Sequence, residues 1–124
     1  MNKKDVANRQ DIELIVKKFY EKAIPDEIIG HFFTKVIPID WDEHIQTVTD
    51  FWDSMIFGTS EYTNNPMTPH LHLHSLSKMQ KPHFERWLHL WTSTIHELFQ
   101  GATSTEIINR ATSIARIMEF KVNQ

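Results

Sequence analysis

The sequence contains no cysteine. Disulfides, thiolate-bound zinc, iron–sulfur clusters and thiol nucleophiles are therefore excluded. The absence fits a reducing compartment, so the cytoplasm is the expected location. Glycine is scarce, three in 124 residues, which suits helices better than tight hairpins. No apolar run approaches the ~18 residues that suggest a membrane span, and the polar N-terminus has no apolar signal-peptide core. Nor does charge of one sign prevail. Thirteen basic and sixteen acidic side chains give a formal net charge of −3, so neither nucleic acid nor an anionic membrane is an expected partner. No repeat, linker or low-complexity tract divides the chain, and residues 1–124 are expected to form one domain.

What the chain has instead is ring systems: eight phenylalanines, four tryptophans and eight histidines. Most of the aromatics recur at helical spacing. In residues 9–29, Ile12, Ile15, Val16, Phe19, Tyr20 and Ala23 form one apolar stripe, with Asn8 or Asp11 as cap and Pro25 kinking the helix or opening a second piece at Asp26. The connection His31-Phe-Phe-Thr-Lys-Val-Ile-Pro-Ile-Asp40 is apolar enough that Phe32 and Phe33 are expected to pack on the core or on a flat ligand. Asp40, with Glu43 completing a capping box, opens a second helix to about Phe57, closed by Gly58. His44 falls on its apolar face with Trp41, Val48 and Trp52, so its imidazole needs a polar partner or a cavity rim. Pro82 opens a third helix whose stripe is Phe84, Trp87, Leu88, Trp91, Ile95, Leu98 and Phe99. His89 and His96 fall off that stripe, and His83 has no evident task. Thr103-Ser-Thr-Glu106 reads as a capping box for a last helix ending near Val122. The fold class is all-α.

Regular structure is missing from the pattern only between Thr59 and Lys81, where Asn65-Pro-Met-Thr-Pro-His-Leu-His-Leu-His74 carries three alternating histidines. Pro66 and Pro69 make the front half an expected non-helical segment, while Tyr62, Met67, Leu71, Leu73 and Leu76 argue against disorder. Extended, the segment would put His70, His72 and His74 on one face; as a helical turn it would pair His70 with His74. Helices that carry so many large rings, and that bring Tyr20, His44 and Trp87 inward, suit a sandwich around a flat apolar cofactor. Haem asks for one axial ligand, apolar walls and polar groups over the open face.

These pieces resemble the truncated haemoglobins, specifically group III. The resemblance is carried in order by Phe19-Tyr-Glu-Lys22, Gly30-His-Phe-Phe33, Trp41-Asp-Glu-His44, Asp50-Phe-Trp52, the Pro66–Leu73 segment and Phe84-Glu-Arg-Trp-Leu88. Paired-glycine motifs of other truncated-haemoglobin groups are absent, as in group III. The resemblance implies a two-on-two helical sandwich around haem b, binding dioxygen and other diatomic ligands. It implies His70 as the proximal iron ligand, with Tyr20, His44 and Trp87 on the distal side. Phe33, Val48 and Trp52 would be pocket walls. The resemblance fixes no role for His72 and His74, which are either contacts of the haem propionates or solvated, and Lys78, Lys81 and Arg86 are further propionate candidates. Nitric oxide or peroxide chemistry is compatible with it and would require an external reductase. Two other readings stand beside it: a non-haem zinc or copper site of His70, His72 and His74, and a helical interaction domain.

Overall fold

The computed structural model describes residues 3–36, 38–59 and 66–123, apart from the side chain of Thr68. Helix α1 spans Arg9–Ala23, α2 Trp41–Phe57, α3 Met67–Leu76, α4 Lys81–Leu98 and α5 Ala102–Val122, with a π-helical segment at Phe32–Val36. No strand occurs among the described residues. Helix α1 packs on α2, α4 packs on α5, and α1 lies against α4, so two helix pairs form a sandwich. Helix α3 leans on α5 and on the π-helical segment. No described helix is long and apolar enough to cross a membrane.

The amphipathic stripes place the core as expected. Ile12, Ile15, Val16 and Phe19 of α1 meet Trp91 and Ile95 of α4 and Ile107 and Ala111 of α5, all nearly inaccessible to solvent. Asn8 is the N-cap of α1, its Oδ1 accepting from the Asp11 amide at 3.0 Å. Asp40 caps α2 through the Glu43 amide. Gly58, at φ 69°, closes α2 in the left-handed conformation that glycine adopts without strain.

Four expectations need correction. Helix α1 stops at Ala23 rather than reaching residue 29, because Pro25 cannot continue the hydrogen-bond ladder. Asp26 opens no second helix; its Oδ1 accepts from the Ile28 and Ile29 amides in a turn. Helix α5 does not use Thr103 as cap. Its N-cap is Gly101, and Asp5, almost a hundred residues away, accepts from the Thr103 and Ser104 amides at 2.9 Å each. Finally, the histidine segment is helical from Met67 onward. Pro69 lies in the first turn, where its missing N–H is one the helix could not have used. The part of the expected non-helical stretch from 60 to 65, including Tyr62, lies outside the described residues.

Candidate haem-binding cavity

A partly open cavity of about 290 Å³ lies between the helix pairs and α3. Its walls are mainly apolar rings and aliphatic chains from α1, α2, α4 and α5, with His70, Pro66, Pro69 and Leu73 of α3 on one side. A wider, shallow groove lined by Met55, Thr105, Glu106 and Arg110 contains neither histidine nor aromatic side chains and offers no comparable chemistry.

The helix separates the three histidines of α3. His70 lines the cavity, and its Nδ1 lies 2.7 Å from the Pro66 carbonyl oxygen. A carbonyl can only accept, so Nδ1 carries the proton and donates, leaving the Nε2 lone pair free. Burial pushes the His70 pKa down against the opposing pull of the Pro66 carbonyl, which favours the neutral imidazole an iron ligand needs. His74, one turn on, is half-buried, and its Nδ1 accepts from the Met79 amide at 2.9 Å, closing the turn into α4. His72 is exposed. No group of three or more histidine, aspartate or glutamate side chains among the described residues could hold a metal ion. The three-imidazole site therefore lacks its geometry.

On the α1–α2 side, the Tyr20 hydroxyl lies 2.8 Å from His44 Nε2. The Tyr20 ring is fixed by Phe19 at 5.0 Å, Trp41 at 5.1 Å and Phe33 at 5.5 Å. Burial raises its pKa well above the ordinary tyrosine value, so the hydroxyl keeps its proton. Burial, and then the nearby His70, lower the pKa of His44. The pair has two arrangements. With the His44 proton on Nδ1, Tyr20 donates to Nε2; with it on Nε2, His44 donates and the Tyr20 hydroxyl proton is free to meet a ligand.

Phe33, Val48, Trp52 and Trp87 also line the cavity. Trp52, Trp91 and Trp87 stack, with ring centroids 5.2 and 6.0 Å apart. Trp87 is half-buried. The indole N–H enclosed without an acceptor belongs to Trp91, among the described residues the sole buried side-chain polar atom with no partner. Arg86 is not a lining residue; its Nε and Nη2 both reach Asp26 Oδ2 at 2.8 Å. Lys78 and Lys81 are exposed and also absent from the walls. Sequence reasoning missed Met79, Ala115, Met118 and His83 as lining residues. The first three carry only an apolar signal, which core and cavity share. His83 stood out as a histidine without a task.

The residues fit haem: one neutral imidazole with a fixed tautomer on one side, hydrogen-bonding side chains on the other, and flat apolar walls between. Comparisons with known proteins agree. A family model described as bacterial-like globin matches residues 5–120. The group 3 truncated haemoglobin of Campylobacter jejuni is 28% identical over 114 residues, 90% of this chain and 87% of that protein. The crystal structure of the group III truncated haemoglobin from Campylobacter jejuni superposes with a TM-score of 0.84 at 27% identity, covering 97% of this chain and 94% of that one. The 2/2 haemoglobin of Synechococcus sp. PCC 7002, at 24% identity, shares the fold with a TM-score of 0.79 over 94% of this chain and 93% of its own.

Proposed function

The chain belongs to the bacterial-like globin family as a truncated haemoglobin of the group III kind, and from that premise we propose that it holds haem b through His70 and presents Tyr20, His44 and Trp87 to a diatomic ligand. The observation that carries the reading is the His70 tautomer. With Nδ1–H committed to the Pro66 carbonyl, the ring is oriented and its Nε2 is the more basic for it.

Haem iron, held by His70, would supply the binding chemistry for dioxygen and other diatomic molecules. The chain supplies the surroundings. Pro66 orients the ligating ring, and the aromatic walls exclude water from the haem faces. Tyr20 and Trp87 are donors that keep their protons at neutral pH, so they favour an electron-rich ligand atom without proton exchange. His44 adds a third donor in one of its two arrangements and holds the Tyr20 hydroxyl in the other. Several donors on one ligand slow its release, which suits redox conversion, such as of nitric oxide or peroxide, better than transport. Such a cycle takes electrons from an external reductase.

Reconstitution tests the reading. Purified protein with one equivalent of haem b is expected to show a Soret band that shifts when carbon monoxide is added after reduction. No Soret band, with zinc bound instead, would overturn it. For redox conversion, the oxygenated protein with a reducing system should consume nitric oxide repeatedly; a single stoichiometric turnover rejects that part.

A further inference from the structure

We propose that His83 forms a carboxylate-binding subsite at the rim of the cavity and receives a propionate of the bound cofactor. The inference rests on the haem reading above and concerns a residue to which neither the sequence pattern nor the family resemblance gives a role. His83 sits in the first turn of α4 and lines the cavity. Its Nδ1 accepts from the Gln80 amide at 2.8 Å. An imidazole nitrogen that accepts carries no proton, so in the neutral ring the proton is on Nε2. That Nε2–H has no acceptor among the described residues, although the ring is half-buried.

The ring is also held in place. It meets Phe32 edge-on at 4.9 Å, and His31, itself on the Phe32 face at 4.1 Å, lies 5.7 Å away. Burial, then His31, lower the His83 pKa, so the rim presents a neutral donor. A carboxylate there would meet one oriented N–H with a second imidazole beside it. The cation expected for this task, Arg86, lies one turn along α4 and is bound to Asp26 through both Nε and Nη2. A flat cofactor whose apolar body fills the cavity leaves its carboxylates at the rim, because burying an unpaired charge is costly. His83 is thus a positioning residue that sets how firmly, and in which orientation, the cofactor is held.

The test measures haem loss from the holoprotein to an excess of a haem-scavenging apoglobin, with haem b and with its dimethyl ester. Two variants separate contact from folding. His83→Asn keeps an acceptor for the Gln80 amide but not the reach of Nε2, and His83→Phe keeps a ring but no polar atom. With haem b, both variants are expected to lose the cofactor about tenfold faster than the wild type, the value of one hydrogen bond to a charged acceptor. With the dimethyl ester, wild type and His83→Asn should lose it at equal rates. That arm also separates a cofactor carboxylate from a free anion, to which esterification would make no difference. Equal loss from wild type and His83→Asn with haem b, or acceleration that persists undiminished with the ester, overturns the inference while leaving the Soret band normal. A wild type with no Soret band at all overturns the haem reading and this inference with it.

Discussion

Helices α3 and α4 both face the same cavity, and they are built on opposite principles. Helix α4 has 18 residues and a stripe in which Phe84, Trp91 and Ile95 are buried, so core packing holds it whether or not anything fills the cavity. Helix α3 has ten residues, no side-chain N-cap and no fully buried side chain among those described, and Leu71 and Leu76 are 43% and 54% exposed. Ten residues are too few for a helix to persist on its own in water. One wall of the site is therefore part of the core, while the other is a short arm that presents one imidazole. On the proposed reading a bound cofactor would give more to α3 than to α4, and the two sides should respond differently to mutation.

The sharpest separation comes from deleting one ring on each side. His70→Ala removes the single imidazole that α3 brings to the cavity with its tautomer fixed. It is expected to abolish stable haem binding or leave a loosely held haem rescued by added imidazole. Trp87→Phe, on α4, should keep a full Soret band. Normal absorption in His70→Ala, or its loss in His72→Ala, would place the ligand elsewhere and break the comparison.

A smaller effect is expected from the donors of the core side. Tyr20→Phe removes the buried hydroxyl that meets His44 but keeps the ring packed against Phe19, Trp41 and Phe33. A hydrogen bond to a charged acceptor is worth roughly 1.5–3 kcal/mol, or about 10- to 100-fold in affinity, and most of it should appear as faster dioxygen release. Stopped-flow release rates for Tyr20→Phe, Trp87→Phe and the double variant check this. Unchanged rates in all three would remove the core side from ligand control.

The same contrast explains what was legible in the sequence. Helix α4 was readable because its period is its cause: rings at three- and four-residue spacing bury one face. Helix α3 has no such stripe, and its two prolines pointed away from a helix, yet Pro69 sits where a first turn tolerates it. Tyr20, His44 and Trp87 were conspicuous as polar groups on apolar faces, and His70 came from family resemblance rather than from periodicity. Met79, Ala115 and Met118 were not separable from core residues, because a cavity wall and a core present the same side chains. The cap of α5 was invisible for a different reason: Asp5 reaches it across the whole chain. Local sequence offered Thr103 instead.

That remote cap gives a control on the scaffold. Asp5 also accepts from the Ser104 hydroxyl at 2.7 Å, and a side chain at position 101 would collide with it, the Gly101 Cβ site lying 2.5 Å from Asp5 Cγ. Gly101 is at φ 145°, so any side chain there is strained twice over. Asp5→Ala should cost about 1–2 kcal/mol in urea unfolding of the apoprotein, as for a lost N-cap, with the Soret band of the holoprotein unchanged. A shifted Soret band would mean that the scaffold and the site are coupled.

The smallest expected effect divides the two regions by pH. Burial pushes the Asp5 pKa up, but its hydrogen bonds to Thr103, Ser104 and Val6 outweigh that and hold it at about 2, below its ordinary 3.8. Its stabilisation is therefore complete above pH 3.8 and lost as pH falls through about 2. Asp26, beside Arg86, is also lowered and acts in the same direction. The cavity-lining histidines His44, His70 and His83 are lowered from 6.5 instead, chiefly by burial. The unfolded chain binds their protons first, so stability is intact above pH 6.5 and declines as pH falls from there toward the lowered folded values. The melting temperature of the apoprotein from pH 8 to pH 2 should then fall in two limbs. Replacing His44, His70 and His83 together by leucine should flatten the upper limb and leave the lower, and Asp5→Asn should shrink the lower and leave the upper. A single limb, or an upper limb that survives loss of all three histidines, would show that the cavity and the scaffold do not titrate as separate regions.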